Sequence, residues 1–110
     1  MPQNQSDQLL LQAQQFQQQM HGIVLQKEGL GMQMMEISNA LEELEKAPQG
    51  DVYKMAGPLL IKSGKEEIRK DLQEKRELID LKIKTLEKSE QKIRLRIDEL
   101  RERLTKGQAG

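Results

Sequence analysis

The residues of this chain that could do chemistry are few and are poorly spaced for it. Gly57-Pro58-Leu59-Leu60-Ile61-Lys62-Ser63 approaches a phosphate-binding loop. In such loops the backbone amides of Gly-x-x-x-x-Gly-Lys-Ser/Thr cradle phosphates. Here the second glycine is missing and Pro58 removes an amide, so the match is a coincidence. His21 is the sole histidine and stands beside Met20 with no clustered partner, which supports neither a metal site nor a His-based triad. There is no cysteine, so no thiolate nucleophile, thiolate metal site or disulfide framework. The many acidic residues alternate with Lys and Arg on helix flanks, where they read as solvated pairs rather than a catalytic dyad. No catalytic residue, metal or cofactor is expected, and the chain does not read as an enzyme.

The elements that carry these residues are long and regular. Of 110 residues, 33% are charged and only 2% aromatic, Phe16 and Tyr53 alone. Leu, Ile and Met therefore supply the apolar bulk, as in helices packed along a seam rather than in a globule built on aromatic side chains. In the first segment the apolar positions run Leu9, Ala13, Phe16, Met20, Ile23, Leu30, Met34, Ile37, Leu41 and Leu44. The spacing alternates four and three residues and only Lys27 interrupts it, which predicts a coiled-coil helix. Ser6 is the expected N-cap, with Asp7 beside it to suit the helix dipole. Pro48 and Gly50 should stop the helix near Lys46.

The second helix follows with Leu72, Ile79, Ile83, Leu86, Ile93, Ile97, Leu100 and Leu104 at steps of three, four or seven. Arg69, Arg76 and Glu90 also fall on the seam and should weaken it locally while fixing register. Ser63-Gly64-Lys65-Glu66 matches a capping box at its start. Its end is expected by Lys106, before Gly107 and Gly110. Each arm is about 41 residues, roughly 60 Å at the helical rise. Equal arms can fold back as one antiparallel coiled coil, which sets Leu44 near Leu72 and Leu9 near Leu104. The first 50 residues carry net charge −4 and the last 60 net +4. That contrast favours the pairing only weakly, because flanking charges are solvated.

Between the arms, Asp51 to Lys62 reads as a β-hairpin, with Val52, Tyr53, Leu60 and Ile61 as strand formers and Gly57-Pro58 as the turn. An isolated two-stranded hairpin is marginal in water. The Leu59-Leu60-Ile61 run lacks polar alternation, as in strands covered on both faces. Two arrangements meet this demand: pairing with hairpins of other subunits, or folding back on the chain's own helices. The expected organisation is one domain over 1–110: helix 6–46, hairpin 51–62, helix 64–106.

Several apolar residues fit no seam. Leu10 and Leu11 follow Leu9, and three consecutive helical residues cannot face one partner. Val24, Leu25, Met32, Met35, Leu78, Leu81 and Leu95 also point outward. Leu9, Leu10, Leu11, Phe16, Leu95, Leu100 and Leu104 would share the end formed by the termini, leaving an apolar patch of the kind that marks a binding site; fraying and helix–helix contact are the alternatives. Nine glutamines between Gln3 and Gln19 either flank this patch without charge or form a plain solvated face. Gly22, Gly29 and Gly31 cluster around Lys27, each costing about 1 kcal/mol relative to alanine. A flexible joint and close packing against another arm both explain them.

At the hairpin, Val52-Tyr53-Lys54-Met55-Ala56-Gly57 followed by Leu59-Leu60-Ile61-Lys62 resembles the linker signature of β-type prefoldin subunits. Ala40-Leu41-Glu42-Glu43-Leu44-Glu45, Leu72-Gln73-Glu74-Lys75 and the glutamine-rich first helix resemble that family too. The resemblance implies an ATP-independent co-chaperone of archaea and eukaryotes. In it, two α-type and four β-type subunits join their hairpins into a β-barrel platform, from which six coiled coils hang. Apolar tips hold unfolded proteins and pass them to a group II chaperonin. A single hairpin resembles the β type, since the α type has two. The short chain is similar to archaeal members.

On this reading the fold is all-α, a long antiparallel two-helix coiled coil with a small β-hairpin. Val52, Tyr53, Met55, Gly57, Leu59, Leu60 and Ile61 are the expected oligomerisation hairpin, and Leu9, Leu10, Leu11, Phe16, Leu100 and Leu104 the expected client-binding tip. The expected partners are α-type subunits, unfolded clients and a group II chaperonin, in the cytoplasm. Neither nucleic acid nor membrane is expected, because the chain lacks a basic footprint, a signal peptide and a spanning segment. A homo-oligomeric or filament-forming coiled-coil protein without clients is the alternative. Pro58 departs from the family pattern and puts the hairpin's pairing in question, because proline cannot donate to a ladder.

Overall fold

The computed structural model describes residues 2–47 and 51–109, and its element order is α1 (Pro2–Lys46), β1 (Asp51–Ala56), β2 (Leu59–Gly64) and α2 (Lys65–Ala109). The stop signals Pro48 and Gly50 lie outside the described residues. Two compact units divide the chain: Met1–Glu28 with Lys84–Gly110, and Gly29–Ile83.

In the first unit, the four-three series is the side of α1 that escapes water. Leu9, Ala13, Phe16, Met20, Ile23 and Lys27 are all half-buried, while the residues between them are mostly exposed. From α2, Leu86, Glu90, Ile93, Ile97 and Leu104 are half-buried and Leu100 is buried. The helices meet here in antiparallel sense through Lys27, whose Nζ lies 3.3 Å from Glu90 Oε2 and 3.8 Å from Glu87 Oε2. α1 starts at Pro2, four residues ahead of the expected cap at Ser6. Proline suits the first helical position, where its missing N–H would have no intrahelical partner anyway. α2 continues to Ala109, beyond the expected stop at Lys106. One glycine costs a helix about 1 kcal/mol, which weakens a last turn without forbidding it.

In the second unit, Leu30, Met34, Ile37 and Leu41 are half-buried and Leu44 is buried; facing them on α2 are half-buried Ile68, Leu72 and Ile83 and buried Ile79. Arg76, expected on the seam, is exposed. A long charged side chain at such a position can carry its head out to water along its own stem. The end of α1 is tied to the start of α2. Lys65 Nζ donates to the carbonyl of Ala47 at 3.0 Å, and the Ala47 N–H is shared between the carbonyls of Glu43 and Leu44 at 3.1 and 3.2 Å. A cation at the carbonyl end of a helix also complements its dipole. Arg69 Nε donates to Glu45 Oε1 at 2.7 Å, and the same guanidinium is hydrogen-bonded to Glu66. The bond to Glu66, then that to Glu45, raises the guanidinium's already high pKa, so Arg69 stays charged.

The hairpin is an antiparallel ladder from Asp51↔Gly64 to Ala56↔Leu59. Gly57 has φ +60°, and among the described residues no non-glycine residue has positive φ. Only the first central residue of this two-residue turn is therefore left-handed, which defines a type II′ turn. Pro58 takes the second central position, where negative φ is required and no ladder donor is needed. This answers the question raised by Pro58: pairing is unbroken on either side of it. The ladder also corrects the start of α2. Ser63 is still in β2 opposite Val52, so it is not the N-cap; its hydroxyl donates to Glu67 Oε2 at 3.3 Å.

Candidate assembly and client-binding surfaces

Alternation along the ladder sorts the hairpin into two faces. Tyr53, Met55, Leu60 and Lys62 share one; Val52, Lys54, Ala56, Leu59, Ile61 and Ser63 share the other. Only Val52 and Ser63 among these are half-buried. Val52, Tyr53 and Lys54 line an apolar groove with Ala40, Leu44, Ile68 and Leu72, and Lys54 Nζ lies 3.9 Å from Asp71 Oδ2. β1 is thus anchored to its own helices. In β2, Ser63 reaches α2 through Glu67, but Leu59, Leu60 and Ile61 are exposed, Leu60 by 67%, as is Met55 of β1 by 75%. Among the described residues the sheet has two strands, so both are edge strands open to pairing with another chain. The contact of Val52 with the helices fits a hairpin folded back in part on its own chain, while Leu59, Leu60 and Ile61 stay open.

The residues named for the client-binding tip separate into two sets. Leu10 and Leu11 are exposed, by 51% and 56%; Leu9, Phe16 and Leu104 are half-buried on the seam. Leu100 lies deeper still. At 5% exposure it is one of the buried residues of the first unit, because its seam position turns it into the helix pair. Leu95, two residues from both Ile93 and Ile97 and so on the opposite face of the helix, is 64% exposed. Gln14, Gln17, Gln18 and His21 line a shallow polar surface on the same unit, with no shared metal geometry. Among the described residues, no group of three or more His, Cys, Asp or Glu is placed to hold a metal ion, and no helix is long and apolar enough to cross a membrane.

Sequence reasoning missed the pairing of Lys27 with Glu90. Each had been recognised as a polar break in its own seam. Their opposite charge, at matching depth in two antiparallel arms, was the available signal.

Two long helices joined through a two-stranded hairpin, with apolar side chains left open on the hairpin and on outer helix positions, define a coiled-coil hairpin protein with surfaces suited to binding other chains. Residues 7–110 match the family model for the prefoldin subunit. The chain is 38% identical over 97 residues to prefoldin subunit beta of Archaeoglobus fulgidus, covering 87% of this chain and 84% of that one. It is 38% identical over 96 residues to prefoldin subunit beta of Methanothrix thermoacetophila, covering 86% and 80%. The crystal structure of the prefoldin beta subunit from Thermococcus strain KS-1 superposes with a TM-score of 0.87 at 31% identity, covering 93% of this chain and 90% of that one. The chain belongs to the prefoldin family, whose members are non-enzymatic chaperone subunits that join other prefoldin subunits in hetero-oligomers.

Proposed function

We propose that this chain is the β-type subunit of a cytoplasmic, ATP-independent holdase, assembled with α-type subunits as a hexamer of two α and four β. It captures unfolded polypeptides on apolar helix ends and hands them to a group II chaperonin. The whole chain, 1–110, acts as a single prefoldin-like domain. Val52, Tyr53, Met55, Gly57, Leu59, Leu60 and Ile61 form the assembly hairpin, which contributes its strands to a β-barrel platform. Leu9, Leu10, Leu11, Phe16, Leu100 and Leu104 form the client surface, with Leu100 its buried member.

The observation that carries this reading is the exposure of Leu10, Leu11 and Leu95 on one unit and of Met55, Leu59, Leu60 and Ile61 on the other. Apolar patches of this kind mark interaction surfaces. Several weak contacts on one assembly raise avidity while each remains quick to release, which suits a protein that passes its cargo on. Native mass of the chain with and without an α-type subunit, paired with suppression of aggregation of a chemically unfolded client, tests the proposal. A hexamer that suppresses aggregation without ATP is expected. A homo-oligomer or filament that leaves aggregation unchanged would replace it with the purely structural reading.

A further inference from the structure

We infer that α1 carries a segment, Gly22 to Gly31, that opens locally while α2 stays helical, and that the Lys27–Glu90 ion pair is its latch. Two observations meet there. First, a Cβ built at Gly22, Gly29 or Gly31 would meet nothing within 4 Å, and none of the three has positive φ. Neither crowding nor backbone conformation requires glycine at these positions, so within this chain their effect is to weaken the helix. Second, the seam layer they surround is polar. Lys27 sits there in place of an apolar residue, 3.3 Å from Glu90 Oε2, with side-chain exposures of 27% and 13%. Glu90's other oxygen takes Arg94 Nη2 at 3.2 Å, so the carboxylate is held from both sides.

The weakness is one-sided. Between Lys65 and Lys106, α2 contains neither glycine nor proline. When α1 opens here, Lys27 leaves Glu90 and the seam residues Ile23 and Leu30 lose their cover, while α2 keeps its own hydrogen bonds. The ion pair holds the closed form because parting it takes a cation from a carboxylate that is largely shielded from water.

Amide hydrogen exchange on the full chain in its native assembly tests this. Amides in the Gly22–Gly31 window should exchange at least tenfold faster than those of residues 37–46 and of residues 84–97. Equal protection in all three overturns the proposal. Replacing all three glycines by alanine should slow exchange in the window on the order of a hundredfold, about fivefold per site, with little change at 37–46. Equal slowing along the whole chain would mean that the window opens only by global unfolding. Loss of assembly would mean that the glycines seat another subunit. Either result overturns local opening. Glu90→Gln should speed exchange in the window severalfold without touching residues 37–46; no change would remove the latch.

Discussion

Lys27 and Glu90 stand 63 residues apart in the chain, yet their side chains meet at 3.3 Å inside the helix seam. A coiled coil built from Leu and Ile alone can slide by a heptad with little loss. One lysine that finds a carboxylate in only one alignment removes that freedom, at a cost in stability. The distinction between stability and register gives the first prediction. Lys27→Leu combined with Glu90→Leu should raise stability by about 1–4 kcal/mol, and with it the thermal midpoint, if the pair behaves like other shielded ion pairs replaced by apolar residues. Lys27→Ala alone should lower it, because Glu90 keeps its charge and loses a partner. Circular dichroism melts measure both, and a double variant less stable than the parent would contradict the assignment.

Changing Leu9, Leu10 and Leu11 to serine should leave oligomer mass unchanged while reducing suppression of client aggregation several-fold. Leu10 and Leu11 are exposed, so their loss creates no cavity, and Leu9 is the only seam residue among the three. Undiminished suppression would place client binding elsewhere.

Leu60→Asp with Ile61→Asp should dissolve the oligomer and preserve helical signal. These neighbours face opposite sides of the hairpin, so the pair of substitutions charges both faces at once. Burying even one unpaired carboxylate is prohibitive compared with the strength of a strand-to-strand contact. An unchanged native mass would show that the hairpin is not the joint between subunits.

Gly57→Ala should destabilise the hairpin by about 1–3 kcal/mol, since an L side chain is strained at φ +60° whatever the surrounding space. Pro58→Ala should cost less than 1 kcal/mol, about the chain stiffness that proline contributes. Urea midpoints of the assembled protein would order the variants, with Gly57→Ala the weaker of the two.

The helices and their seam were legible because a four-three repeat leaves few alternatives. Each member of the α1 series from Leu9 to Leu44 is at least partly shielded, and the residues expected to face outward, Val24, Leu25, Met32, Met35, Leu78, Leu81 and Leu95, do so. Element ends were less legible. Ser63 carries a capping-box signature, but strand pairing with Val52 holds it in β2, and a local cue yields to a ladder formed with a residue eleven positions away. Pro58 looked like an obstacle because strand propensity was read without turn type. The burial of Leu100 follows from its heptad position, which was legible in the sequence. The groove that joins Val52 to Leu44, Ile68 and Leu72 depends on how β1 leans, which no periodicity encodes.

The exposed ring of Tyr53 has a practical consequence. It is the sole tyrosine of a chain without tryptophan, and 62% of it faces solvent on a strand. Near-ultraviolet emission from this chain therefore comes almost wholly from one point, the very strand on which neighbours are expected to close. With a tyrosine-free and tryptophan-free partner, mixing would register in an intrinsic optical signal, with no dye attached and no helix disturbed.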